Sequence, residues 1–164
     1  MTQSFDLPDV ERLVVGTVGE PGQRVFYLQA RQGRQLVTLK VEKAHVAELS
    51  ARLIALLADA PNAEQGEDLS LEAPIEPDFA VGSLALAFDD DDNRVIILAE
   101  ELVEEGDEGS VARIGATREQ IATLARVGAA LVAAGRPTCQ LCGYPLDPRG
   151  HVCPRSNGHV PPTP

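Results

Sequence analysis

At 164 residues, with 44% hydrophobic and 24% charged side chains, the chain has the composition of one globular domain with a short appendage. Aromatic residues make up only 4% and Trp is absent, so the core must be assembled from Val, Leu, Ile and Ala, with few flat rings for stacking a base or a sugar. A net charge of -11 repels phosphate backbones and anionic membrane surfaces, which argues against nucleic acid and lipid as partners.

The N-terminus, Met1 to Pro8, has neither a basic segment nor an apolar stretch of the signal-peptide kind. No apolar run reaches the roughly 18 residues that a bilayer-spanning helix needs, so the chain is expected in the cytoplasm. The first clear elements are two β-rich runs, 13–18 and 24–30, separated by Glu20-Pro21-Gly22-Gln23, a hairpin signal. A turn at Gly33 leads into a third strand at 35–41, where Val37, Leu39 and Val41 share a face although Leu36 breaks the alternation. From Lys43 the period changes: Val46, Leu49, Leu53, Leu56 and Leu57 fall at spacings of three and four, which predicts a helix over 43–58. His45 falls in its first turn, away from Val46 and Leu49, and reads as a surface histidine. Residues 61–80, rich in Glu, Asp, Pro and Ala, read as an acidic linker.

Beyond the linker the order repeats. Strands are expected at 84–88 and 94–99 and around Val111 to Ile114, and Thr117 is placed to cap a second helix. Arg94 to Leu98 lies 70 positions after Arg24 to Leu28, and Ile121, Leu124, Leu131 and Val132 lie 75 positions after Val46, Leu49, Leu56 and Leu57. The expected fold is therefore α+β: two divergent βββα units, 11–60 and 81–135, forming an antiparallel sheet with two packed helices within a domain at 1–135.

Gly135 and Pro137 end the second helix and open a different kind of sequence at 136–164. Three cysteines, Cys139, Cys142 and Cys153, fall within fifteen residues of a chain expected in a reducing compartment, where such clusters read as metal ligands before disulfides. Cys139-Gln140-Leu141-Cys142-Gly143 has zinc-knuckle spacing, and His151 or His159 supplies a fourth ligand for a tetrahedral structural zinc ion. His151 is preferred because His159 lies near the chain end, where ordering costs more. The segment has few apolar side chains, so its order would come from the metal. A site closed by four protein ligands leaves no position for activating water. Redox chemistry is disfavoured because the motif follows a helix and a proline and does not open a helix after a strand.

The run Asp89-Asp90-Asp91-Asp92-Asn93 lacks the spaced ligands of a calcium loop and reads as a solvated hairpin tip. Glu100, Glu101, Glu104 and Glu105 read as an acidic rim. No nucleophile elbow, phosphate loop, dinucleotide fingerprint or paired-histidine zinc motif is present, which leans the reading away from an enzyme.

The tail Cys-x-x-Cys-Gly-x-Pro-Leu-Asp-Pro-x-Gly-His-x-Cys-Pro-Arg-x-Asn-Gly, the Phe-Asp-Leu opening and the segment Gln-Leu-Val-Thr-Leu-Lys-Val-Glu-Lys resemble an actinobacterial family known as a domain of unknown function, DUF3090. The resemblance implies a bacterial cytoplasmic setting and a regulatory or accessory role, alongside a kinase-like and a phosphatase-like protein. The leading functional expectation is a non-catalytic adaptor whose acidic body meets a basic protein partner, with the zinc tail as a rigid second contact. Two alternatives stand beside it: an enzyme or small-ligand binder using a groove between the two βββα units, and nucleic-acid binding by the tail through Arg136, Arg149 and Arg155.

Overall fold

β-branched and aliphatic runs bounded by Gly, Pro and Asp form the strands, and Ala- and Leu-rich periodic runs form the helices. The computed structural model describes residues 2–20, 22–57, 69–134, 139–142 and 153. In chain order these form β1 (Ser4–Leu7), β2 (Arg12–Val18), β3 (Val25–Gln32), β4 (Gln35–Val41), α1 (Lys43–Leu56), β5 (Phe79–Asp89), β6 (Arg94–Glu101), β7 (Val111–Ala116) and α2 (Arg118–Ala133). The fold is α+β, with a seven-stranded sheet in the order β1-β7-β6-β5-β4-β3-β2.

The expectation of an antiparallel sheet needs correction. β4 pairs with β5 in parallel, and β1 pairs with β7 in parallel. The physical reason for the β4–β5 pairing is the connection: a helix, α1, stands between the two strands in the chain, and a crossover of that kind delivers a parallel neighbour where a tight turn cannot. β5 also starts at Phe79, ahead of the expected 84, because Phe79 and Ala80 pair with Leu39 and Lys40.

Residues 8–11 join the two ends of the strand order. The Val10 amide donates to the Gly115 carbonyl of β7 at 3.0 Å, and the Glu11 amide donates to the Arg31 carbonyl of β3 at 2.8 Å. β1 and β2 are thus two halves of one bent run, the first paired with β7 and the second with β3. At Gly115 a Cβ would overlap the Pro8 carbonyl, so only glycine permits this approach.

One face of the sheet and the two helices enclose the core. Leu28 opposes Leu39, Leu39 opposes Phe79, and Ile97 opposes Ile114, all buried. From the helices come Val46 and Leu53 of α1 and Ile121, Leu124 and Ala125 of α2. Burial of a side chain such as Ile121, fully removed from solvent, contributes about 1.5–3 kcal/mol. The helices touch at Gly128, where a Cβ would come 3.2 Å from Val46 Cγ1 and closer still to Ser50 Oγ.

Both helices start in reciprocal caps. Thr117 Oγ1 accepts from the Gln120 amide at 3.1 Å while Gln120 Oε1 accepts from the Thr117 amide at 2.9 Å. At α1 the Glu42 side chain accepts from the His45 amide, and His45 Nδ1 accepts from the Glu42 amide at 3.2 Å. His45 is therefore a capping residue, a role its position in the first turn conceals when only the hydrophobic face is considered.

Of the stretch read as a linker, residues 61–68 lie outside the described residues. Residues 69–78 cross the outer face of β2, β3 and β4 as a strap. Gln29 is buried beneath it, donating from Nε2 to Thr38 Oγ1 (3.1 Å) and to the Glu72 carbonyl (3.0 Å) and accepting from the Glu72 amide (2.7 Å). Arg31 pairs with Glu72 at 2.8 Å, and Arg12 donates to the Ser70 carbonyl. Leu71 covers Gly16 so closely that a Cβ there would lie 2.6 Å from Leu71 Cγ. Both faces of this half of the sheet are covered, which explains the burial of Thr38 and Gln29 on the side opposite the core.

Candidate metal centre

α2 closes at its C-cap Ala134, and the described chain resumes at Cys139. Cys139 and Cys142 are half-buried on either side of a turn, and Cys153 is fully buried. The three Sγ atoms lie within 4.8 Å of one another, with Cys139 and Cys153 at 3.9 Å. A disulfide would require about 2.05 Å. Thiolates on a tetrahedral zinc, with Zn–S bonds of about 2.3 Å, are separated by roughly 3.8 Å. The Cys139–Cys153 separation matches that spacing, and three cysteines this close can hold a metal ion.

The sequence expectation placed Cys139, Cys142 and Cys153 in one site, and the structure brings these three together. His151 and His159 lie outside the described residues, as do Arg136, Arg149 and Arg155 of the nucleic-acid alternative and Gly135 of the expected helix stop.

The acidic runs occupy the two ends of β6. At one end, Asp89 Oδ1 accepts from the amides of Asp91 (3.1 Å) and Asp92 (3.3 Å), so this carboxylate organises its own turn, and Asn93 takes a left-handed conformation with φ 53°. At the other end, Glu101 accepts from the Ser110 amide at 2.7 Å, and its own amide donates to the Ser110 carbonyl at 2.8 Å. The backbone bond from Ser110, with a further side-chain bond from the same residue, holds the Glu101 carboxyl below its ordinary value of 4.5. The loop closed in this way exposes Leu102 (68%) and Val103 (40%) among Glu100, Glu104, Glu105, Asp107 and Glu108. The glutamates of this stretch, read from the sequence as an acidic rim, are exposed or half-buried, and two adjacent exposed apolar residues lie among them.

A family described as a protein of unknown function, DUF3090, matches residues 4–153. The chain belongs to this family. The match runs from the first residue of β1 to Cys153, so the sheet, both helices and all three thiols fall within the DUF3090 span. No curated protein and no solved structure matches. Among the described residues, no helix of this DUF3090 chain is long and apolar enough to cross a membrane.

Proposed function

We propose that this protein is a non-catalytic, cytoplasmic accessory protein of actinobacterial type that binds a basic protein partner through its 102–109 loop and carries a structural zinc ion in its C-terminal tail. The observation that carries the binding reading is the pair Leu102 and Val103, exposed side by side and surrounded by carboxylates. An apolar centre with a charged rim is the anatomy of a docking surface, and a rim of one sign selects a partner of the other. The loop is held ready by the two Glu101–Ser110 bonds, which lowers the ordering cost of docking.

In this reading Cys139, Cys142 and Cys153 hold the zinc with His151, or else His159, as fourth ligand. The ion supplies crosslinking of a segment with too little apolar surface to order itself, and with four protein ligands it supplies no reactive position. The arrangement of the domain as two βββα units is supported by the element order and by the helices. The caps Glu42 and Thr117 lie 75 positions apart, as do the buried pairs Val46 and Ile121, Ser50 and Ala125, and Leu53 and Gly128.

The test is crosslinking with mass spectrometry in intact cells, comparing the wild type with the double variant Leu102→Ser, Val103→Ser. Crosslinks from residues 100–111 to lysine-rich segments of one protein, lost in the double variant, support the docking surface. A crosslink pattern unchanged by the double variant, in a protein that remains folded, overturns it.

A further inference from the structure

A cavity of about 340 Å³ opens where the start of β3, the end of β4 and the first turn of α1 meet the end of α2. Its polar wall is made by Arg24, Lys40 and Lys43, with Glu42 as its one carboxylate, and its apolar wall includes Phe26 and Leu131. The register explains the convergence. Phe26 opposes Val41 and Tyr27 opposes Lys40, so Arg24, two residues before Phe26, and Lys43, two residues after Val41, extend past the same end of the strand pair.

Three cations and one carboxylate give this cavity a local charge of +2 (3 − 1) in a chain whose net charge is -11. Among the described residues, other arginines are engaged: Arg31 with Glu72, Arg52 with Glu48, Arg94 with Asp9 and Arg113 with Asp6 as ion pairs, and Arg118 over the Phe88 ring. Arg24, Lys40 and Lys43 make no ion pair among the described residues. In a chain this acidic, three cations that line one cavity without an ion-pair partner among the described residues stand out. The Glu42 carboxylate is already committed to the His45 amide at the α1 cap.

We propose that this cavity binds a small phosphorylated metabolite. Its phosphate would sit among Arg24, Lys40 and Lys43, and its less polar part would lie against Phe26 and Leu131. Arg24, half-buried, can offer a bidentate fork to two phosphate oxygens, and the two lysines add point charges. The volume lies at the lower end of the range of about 300–1,000 Å³ for small-molecule sites, which suits a metabolite. This site is separate from the 102–109 loop, so the inference does not rest on the adaptor reading.

The experiment uses the full-length protein and follows its backbone amides by NMR during titration with inorganic phosphate and pyrophosphate, against chloride at matched ionic strength. The expected result is a saturable shift of the Arg24, Lys40 and Lys43 amides with pyrophosphate bound more tightly than phosphate. The double variant Arg24→Gln, Lys40→Gln should weaken binding by about tenfold or more, as loss of charge-assisted bonds requires. Lys40→Gln alone, an exposed change, gives the same reading should the double variant unfold. No saturable shift, an equal shift with chloride, or binding undiminished in the variants overturns the site.

Discussion

Replacing Gly115 with Ala tests whether the run from β1 to β2 truly ties the two ends of the sheet together. Gly115 does not use a left-handed conformation, so alanine meets no backbone penalty and the effect is steric. The added Cβ falls on the Pro8 carbonyl and within 3.2 Å of Pro8 Cα, and a backbone group cannot rotate away as a side chain can. Pro8 is fixed by its neighbours: the Asp9 amide donates to Gln32 Oε1 at 2.9 Å, the Val10 amide to the Gly115 carbonyl at 3.0 Å, and Gln120 Nε2 to the Val10 carbonyl at 2.9 Å. Displacement sacrifices the two bonds at Val10, about 1 kcal/mol each, on top of overpacking of about 1–3 kcal/mol. The smaller chain entropy of alanine returns about 0.5–1 kcal/mol. The expected loss is therefore about 2–4 kcal/mol, or roughly 5–15 °C in Tm for a domain of this size. Urea unfolding followed by circular dichroism measures the loss, and amide hydrogen exchange at Val10 locates it. Unchanged stability together with unchanged protection at Val10 would refute the join.

The strap offers a second prediction. Gln29→Leu removes the side-chain partner of Thr38 and both bonds to the Glu72 backbone, and should cost about 2–4 kcal/mol in urea unfolding, with faster exchange at the Glu72 amide. Glu101→Gln should change the pH profile of stability. The folded-state pKa of Glu101 is lowered, so its contribution is complete above the ordinary value of 4.5 and is lost as pH falls through the lower folded value. The stability difference between wild type and Glu101→Gln should thus be constant from pH 7 to about 5 and shrink on further acidification. A difference that persists or grows in acid contradicts the Ser110 bonds as its cause.

Elements whose pattern is local were legible in the sequence. The third strand, Gln35–Val41, is legible at its observed bounds, and Thr117 is legible as the cap of α2 because a Thr just ahead of a helical period is a cap signal; its reciprocal partner Gln120 emerges from the structure. β1 is only four residues long, and Phe5 and Leu7 gain meaning only through pairing with Ala112 and Ile114 more than a hundred residues away. The strap was hidden for a related reason. Its carboxylates and prolines resemble a linker and its few apolar residues show no helix or strand period, and what binds it includes the buried Gln29, whose place on β3 gives no hint that the outer face is covered. At the thiol site, spacing sufficed to group Cys139 with Cys142, and the addition of Cys153 followed from composition, all three cysteines lying in one segment of a chain expected in a reducing compartment. The cationic cavity was illegible because Arg24, Lys40 and Lys43 are scattered over twenty residues and meet only through the β3–β4 register and the position of α1.

The metal centre is tested most directly by the metal content of the purified native protein, measured by inorganic mass spectrometry alongside Cys153→Ser, His151→Ala and His159→Ala. One zinc ion per chain, lost with Cys153→Ser and with His151→Ala and retained with His159→Ala, is the predicted result. Absence of bound metal in the native protein after reconstitution with zinc under reducing conditions would contradict it, and the 3.9 Å approach of Cys139 and Cys153 would then mark a pair of thiols brought together without an ion between them.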